Sequence, residues 1–349
     1  MAGPKSSVLR RIMPQLVILG AALLLNVLVF PDFFHVDFRN GRLFGNVIDV
    51  LNRGAPVALL CIGMTLVIAT RGIDLSVGAV MAIAGATAAS VVTDGYGWGT
   101  ALLAALAAGA LCGLWNGVLV ALLKIQPIVA TLVLMVAGRG IAQLITEGKI
   151  LTFSNEGLIH LGAGTILGVP TPILIWMALG AAVIWVVRRT ALGMLIEAIG
   201  INERSSRLAG INSRVLLVCV YLVSGLCAAL AGVIVAADIK GADANNAGLW
   251  LELDAILAVV IGGNSLLGGR FSILASLIGA LIIQSVNSVI LLSGMPPEFN
   301  LVIKALLILA ILVIQSPRIT YLMYMLRASG PQPQPDRPPM PKARKEEAR

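Results

Sequence analysis

The chain has 349 residues, of which 58% are hydrophobic and 12% charged, with a mean hydropathy of +0.95. A soluble domain carries about 25% charged residues, so one aqueous core has no room for this much apolar surface and lipid must be the solvent. The formal charge of +8 is spread over the connections between apolar runs and forms no basic stripe, so no nucleic-acid partner is expected.

A spanning helix needs about 20 apolar residues, and about ten stretches qualify. They are residues 14–31, 51–70, 75–93, 99–123, 127–146, 170–187, 214–236, 253–268, 271–293 and 299–316. The expected fold is all-α, a polytopic membrane helical bundle of these spans. Its transmembrane domain covers 14–316, between an N-terminal tail at 1–13 and a C-terminal tail at 317–349. The first span leads into "PDFFHVDF" without a small-x-small cleavage pattern, so it reads as a retained anchor. The tail "SGPQPQPDRPPMPKARKEEAR" is Pro-rich and charged and is expected to be disordered.

Lys and Arg favour the cytoplasmic side. Lys5, Arg10 and Arg11 in the first tail fall on one side with Arg71, Lys124, Arg188, Arg189, Arg204, Arg207, Arg214, Arg270 and the basic C-terminal tail. The other side carries Asp32, Asp37, Asp94, Glu156, Asp238, Asp243 and Glu298. Both termini are therefore expected inside the cell.

Between the second and third spans lies "ATRGIDLSVGAVMAIAGA", residues 69–86. Gly72 permits a break, and Asp74 or Ser76 can cap the next helix by accepting its free N–H groups. This places Asp74 at a break near the inner face, with Arg71 neutralising it or following the charge rule. The same break can instead line a pathway or move during gating, because irregular backbone at membrane depth needs protein or water around it. A second break is expected at "GGNSLLGGR", residues 262–270. Asn116, Gln143, Asn264, Gln284 and Asn287 are uncharged polar residues inside spans, suited to helix–helix hydrogen bonds or to a polar solute. Glu252 and Asp254 open a span on the acidic side, where they complement a helix N-terminus or meet a partner protein on that face. Arg139 and Lys304 are the clear charges deep in spans, and snorkelling accounts for Arg139.

The connection 188–214 reads "RRTALGMLIEAIGINERSSRLAGINSR". Thr190 can cap a first helix whose Leu192, Leu195, Ile196 and Ile199 share one apolar face, and Gly200 stops it. Asn202 can cap a second short helix carrying Glu203, Arg204 and Arg207 and ending at Gly210. Outside the bilayer, that apolar face must bury against its own protein, the lipid interface or a soluble partner.

Other chemistry is missing. There is no phosphate-cradling G-x-x-x-x-G-K-[ST] loop. The two histidines, His35 and His160, sit in expected outer loops, and Cys61, Cys112, Cys219 and Cys227 read as small buried hydrophobes inside spans. No metal site, cofactor or catalytic cluster is expected.

Four pieces together are specific: "GMTLVIATRGIDLSVGAVMAIAGA", "GLWNGVLVALLKIQPIVATLVLMVAGRGIAQLIT", "TALGMLIEAIGINERSSRLAGIN" and "LWLELDAILAVVIGGNSLLGGRFS". In these the chain resembles the permease subunits of ABC-type sugar importers of the ribose/galactofuranose class, from about Leu51 to Ser316. The resemblance implies a bacterial inner-membrane permease that moves a monosaccharide by alternating access and performs no catalysis itself. It implies a cytoplasmic ABC ATPase subunit, a periplasmic sugar-binding protein and a second permease subunit, identical or paralogous. It also implies that the segment from Gly193 to Asn212 docks on the ATPase, with Gly193, Ile196, Glu197, Ile199, Gly200, Asn202, Arg204, Gly210 and Asn212 as coupling residues. Gly72, Asp74, Ser76, Asn116, Gln143, Asn264 and Gln284 are then the candidates for helix breaks or pathway. The family often has Gly at the position of Arg71, giving "GGIDLS", and this chain departs from it there. The alternative is a self-contained secondary sugar carrier, which the docking-like loop and the scarcity of buried acids oppose. A lipid-modifying enzyme would need a polar cluster at one face, and none is evident.

Overall fold

The computed structural model describes residues 4–39, 41–294, 296 and 299–315. The expected C-terminal tail at 317–349 and Glu298 lie outside the described residues. The chain divides into two units, the second beginning at residue 298. In the second unit, α14 (Phe299–Gln315) is a single apolar helix.

The first unit begins with α1 (Pro4–Val29). A short 3₁₀ turn at Pro31–Phe34 and a hairpin of β1 (Asp37–Arg39) and β2 (Arg42–Phe44) follow. Then come α2 (Asn46–Arg53), α3 (Ala55–Ala69), α4 (Val77–Thr93), α5 (Trp98–Ala121) and α6 (Pro127–Ile145). β3 (Leu151–Thr152), α7 (Glu156–Ala163), β4 (Thr165–Ile166), β5 (Val169–Pro170) and α8 (Thr171–Arg189) come next. The unit closes with α9 (Leu192–Ile201), α10 (Glu203–Leu208), α11 (Ser213–Asp238), β6 (Gly241–Ala242), α12 (Leu251–Ile261) and α13 (Ile273–Leu292). β4 pairs with β5, and β3 pairs with the distant β6, both antiparallel. These two-residue ladders and the β1–β2 hairpin interrupt a mostly helical fold.

Among the described residues, six helices are long and apolar enough to cross a membrane, and α2 with α3, bent by 42°, form one further candidate span. α3, α4 and α12 have 15, 17 and 11 residues, and α14 has 17. At 1.5 Å per residue, an 11-residue helix reaches about half of a hydrocarbon core some 30 Å thick. The physical reason for the short helices is that α4 and α12 begin inside the bundle. A methyl group on Gly78, in the first turn of α4, would collide with the carbonyl of Gly248 and the carboxylate of Glu252, in the first turn of α12.

The centre of the bundle is α3, with 14 of its 15 residues buried, every one except Pro56. A helix apolar on every face belongs in such a place. Against it packs α11, which also contacts α4 and α5. Gly109, Gly113 and Gly117 recur every four residues and so share one face of α5. A methyl group on them would meet Gly225 O, Tyr221 O and the Cα of Val218 on α11. Small residues let helix backbones approach where lipid gives no hydrophobic drive to association. The opposite surfaces of α5, α6 and α8 expose Leu103, Leu111, Trp115, Val136, Leu144 and Trp185, the apolar exterior that a lipid solvent permits. Cys219 is also exposed, on α11, contrary to the expectation that all four cysteines are buried.

Candidate functional site: two helix breaks and a loop

The first break lies where expected, between α3 and α4. Arg71, not Gly72, takes the left-handed turn, with φ 64°. Gly72 is needed for space, because a methyl group there would press on the Tyr221 hydroxyl at 2.5 Å and on Val67 at 2.9 Å. Asp74 is drawn into the bundle: its carboxylate accepts a hydrogen bond of 2.8 Å from Ser224 Oγ, in the middle of α11. The chain turns at Arg71 and runs back into the bundle before α4 begins.

Asp74 is 2% exposed and its other oxygen accepts from Ser76 N at 3.1 Å and Ser76 Oγ at 2.6 Å. Ser76 Oγ in turn accepts from Asn116 Nδ2 at 2.8 Å. Asp74 therefore stabilises the start of α4 through the N–H of its N-cap residue, Ser76, and ties α4 to α5 and α11. Ser76 itself makes no side-chain cap bond. Thr131 on α6 joins this region, accepting from Leu75 N at 3.1 Å and donating to Ile73 O at 3.2 Å. Arg71 does not neutralise Asp74, since its guanidinium turns elsewhere.

The second break follows α12. Gly263, Gly268 and Gly269 have φ of 79°, 77° and 92°, conformations that favour glycine. Asn264 is 4% exposed and fully engaged. Its Nδ2 donates to Val259 O and Ser276 Oγ at 3.0 and 2.8 Å, and its Oδ1 accepts from Ser272 N at 2.7 Å. Thr65 on α3 reaches the same Ser276 Oγ at 2.7 Å. Asn264 thus builds the break and offers nothing to a solute.

The connection 188–214 forms two short helices, α9 and α10. Thr190 ends α8, and its Oγ1 accepts from the N–H of Leu192, the first residue of α9, at 3.3 Å, while Ala191 at the N-cap position makes no side-chain bond. Gly200 does not stop α9 but lies buried within it, and the stop is at Asn202. Asn202 caps α10 by accepting from Ser205 N at 3.0 Å, and Asn212 caps α11 by accepting from Val215 N at 3.4 Å. Gly210 takes φ 87° just past α10. Gly193, Ile196, Ile199 and Gly200 are buried, so they pack on their own chain. Met194, Ile201 and Leu208 are 71%, 60% and 84% exposed, and Arg204 is exposed beside them. Glu197 is half-buried and lines an open groove of ≈ 620 Å³ with Arg188, Gly193, Met194 and Phe271. Glu203 accepts from Lys124 Nζ at 2.6 Å and Ser213 Oγ at 3.1 Å, anchoring α10 to the ends of α5 and α11. The Lys124 hydrogen bond holds its carboxyl below the usual carboxylate range.

These three features meet at one place. Gly269 N donates to Ala69 O, the last residue of α3, at 2.9 Å. A methyl group on Gly200 would strike that same Ala69 O and Gly269 N.

At the other end of α11 the picture differs. Gln143 Nε2 donates to Asn245 Oδ1 at 2.7 Å in an exposed turn, and Arg139 donates to Ala244 O and Ala247 O. Both hold the segment before α12, which separates Gln143 from the other pathway candidates. Asp243 folds that turn by accepting from Asn246 Nδ2 at 2.7 Å, which holds its carboxyl below the usual range. Gln284 and Asn287 line a separate cavity of ≈ 240 Å³ with Asn52, Arg53, Asp238 and Asp254. Asn52 Oδ1 and Asn287 Oδ1 are buried there without a hydrogen-bond partner. Sequence reasoning missed Asn52 and Arg53. The signal was a polar pair, "NR", directly before the apolar run of α3. It also missed Ser224, Ser276 and Thr65, whose residue types are unremarkable inside a span.

Residues 46–312 match the family described as branched-chain amino acid transport system / permease component. The chain is 61% identical over 317 residues to the galactofuranose transporter permease protein of Escherichia coli K12, an alignment covering 90% of this chain and 93% of the relative. It is 42% identical to the fructose import permease protein of Bifidobacterium longum, over 82% of this chain and 83% of the relative. It is 39% identical to the ribose import permease protein of Escherichia coli K12, over 82% and 88%. No solved structure matches. The family match takes in both helix breaks, the loop between α8 and α11 and the cavity, and the chain belongs to this family of membrane transport permeases.

Proposed function

We propose that the chain is the permease subunit of an ATP-binding-cassette importer and carries a monosaccharide, galactofuranose or a ribose-like sugar, across the bacterial inner membrane. The observation that carries this is 61% identity across 90% of the chain to a galactofuranose permease. No catalytic step belongs to this subunit, and ATP is hydrolysed by a separate cytoplasmic subunit. A periplasmic binding protein delivers the sugar, and a second permease, identical or paralogous, completes the path.

In this reading the chain has ten spans, with the α2–α3 pair and the short helices α4, α12 and α14 each counted, and both termini lie in the cytoplasm with 188–214. The ATPase docks on the outward surface of α9 and α10, through Met194, Ile201, Arg204 and Leu208. The buried Ile196, Ile199 and Gly200 carry its motion into the bundle. The cavity around Gln284 is the sugar-facing chamber on the periplasmic side. Sugar hydroxyls donate to the unpartnered Asn52 and Asn287 oxygens and accept from Gln284 and Arg53. Polar groups inside a membrane protein are costly and mark solute paths.

The test is affinity capture from mild detergent with partners identified by mass spectrometry. The wild type brings down a Walker-type ATPase. A Met194→Asp/Leu208→Asp double variant, changed only at exposed positions, stays folded and loses it. A folded wild type that captures no ATPase, even after crosslinking, overturns the reading in favour of a secondary carrier.

A further inference from the structure

One side chain spans the junction of the two breaks and the loop. Arg71 Nε donates to Leu267 O at 2.9 Å, within the second break, and Arg71 Nη2 donates to Ile201 O at 2.7 Å, at the last residue of α9. The Ile201 carbonyl is one of the acceptors a helix leaves unsatisfied at its C-terminus, where the helix dipole favours a cation. The backbone of Arg71 is itself the turn of the first break, at φ 64°. Glycine takes this conformation without cost, so the backbone alone does not call for arginine. A rigid planar fork that holds two carbonyls on separate segments is what arginine supplies and lysine does not.

We infer that Arg71 is a positioning residue that latches the end of α9 to both helix breaks, so that the three move as one body when the loop is displaced. The contacts around it favour transmission. Gly200 leaves no gap between α9 and Ala69, and Gly269 N is bonded to the same Ala69 O. Asp74 follows Arg71 by three residues, so motion at Arg71 reaches the Asp74–Ser76–Ser224 network through a short tether. Arg71 is itself exposed. The inference rests on the loop being the ATPase-docking element of a permease.

The test is hydrogen–deuterium exchange on the assembled complex, with and without a non-hydrolysable ATP analogue, joined to uptake per ATP in proteoliposomes. In the wild type, exchange changes in 192–208 and also in 70–76 and 262–270. In Arg71→Gly, the change in 192–208 persists and that in 262–270 is lost, while sugar moved per ATP falls about tenfold. ATPase capture and melting temperature stay at wild-type values in that variant. Arg71→Lys, which keeps the charge but not the fork, falls between the two. Wild-type exchange and stoichiometry in Arg71→Gly overturn the latch. So does loss of folding or of ATPase capture in that variant, which would make Arg71 merely structural. A wild type whose 192–208 segment ignores the ATPase contradicts the docking reading itself. A loop response that never reaches 262–270 contradicts the latch alone.

Discussion

Asp74→Ala removes the acceptor of three buried hydrogen bonds, from Ser76 N, Ser76 Oγ and Ser224 Oγ. The Ser76 hydroxyl can rotate, but the Ser76 amide and the Ser224 hydroxyl lose their acceptor in a site that excludes water. An orphaned buried donor costs about 1–3 kcal/mol, and interhelical hydrogen bonds in membrane proteins sit low in such ranges, near 0.6 kcal/mol on average. Two orphans therefore cost about 2–3 kcal/mol. Asp74→Asn keeps an oxygen for Ser76, and its new amide donates to Ser224 once that hydroxyl turns to accept, so its cost is about 1 kcal/mol or less. The assay is thermal unfolding of the purified chain in mild detergent. Alanine is expected to lower the melting temperature by about 4–8 °C and asparagine by about 2 °C or less. Equal losses from the two variants would refute the hydrogen-bonding account and leave only the charge of Asp74 to explain its place.

Gly113→Val drives a side chain into the Tyr221 carbonyl of α11, and because that neighbour is backbone the α5–α11 seam should open, costing about 1–3 kcal/mol in the same unfolding assay. The Glu203 carboxyl is held low, chiefly by Lys124. Its contribution is therefore present above the unfolded carboxylate value of about 4.3 and is lost as pH falls through the lower folded value. The pair is 43% and 38% exposed, so the effect is small. Lys124→Met should flatten the acid limb of stability below pH about 4, and an unchanged limb would count against the pair. Gln284→Leu should reduce sugar uptake about tenfold, the equivalent of one or two lost hydrogen bonds, without changing ATPase capture. Undiminished uptake would move the path away from the cavity.

Much of the bundle was legible because lipid imposes one rule, a long apolar run per helix, and α1, α5, α6, α8, α11 and α13 follow it. The breaks at 70–76 and 262–270 were legible from their glycines and their stranded polar residues. Depth was not. Nothing local says that Asp74 turns back to Ser224, because that bond joins residues 150 apart in the chain. The loop shows the same limit. Periodicity gave α9 an apolar face at Leu192, Leu195, Ile196 and Ile199, but the face that packs is Gly193, Ile196, Ile199 and Gly200. Two glycines turn inward because α9 lies close against the backbone at Val187 and Ala69, and periodicity does not count glycine as apolar contact. Gln143 and Asn264 resembled Gln284 in the sequence, as lone amides in apolar runs. Their partners separate them: Gln143 bonds Asn245, Asn264 bonds Val259 of α12 and Ser276 of α13, and Gln284 borders a cavity.

The central claim is that this permease imports a monosaccharide only when a separate ATPase drives it. The most direct measurement is uptake of labelled galactofuranose and ribose into proteoliposomes holding this chain, its captured ATPase and the binding protein, with ATP present or absent at the ATPase face. Uptake of at least one sugar should require both ATP and the ATPase and survive collapse of ion gradients. Uptake by the chain alone that an uncoupler abolishes would contradict it.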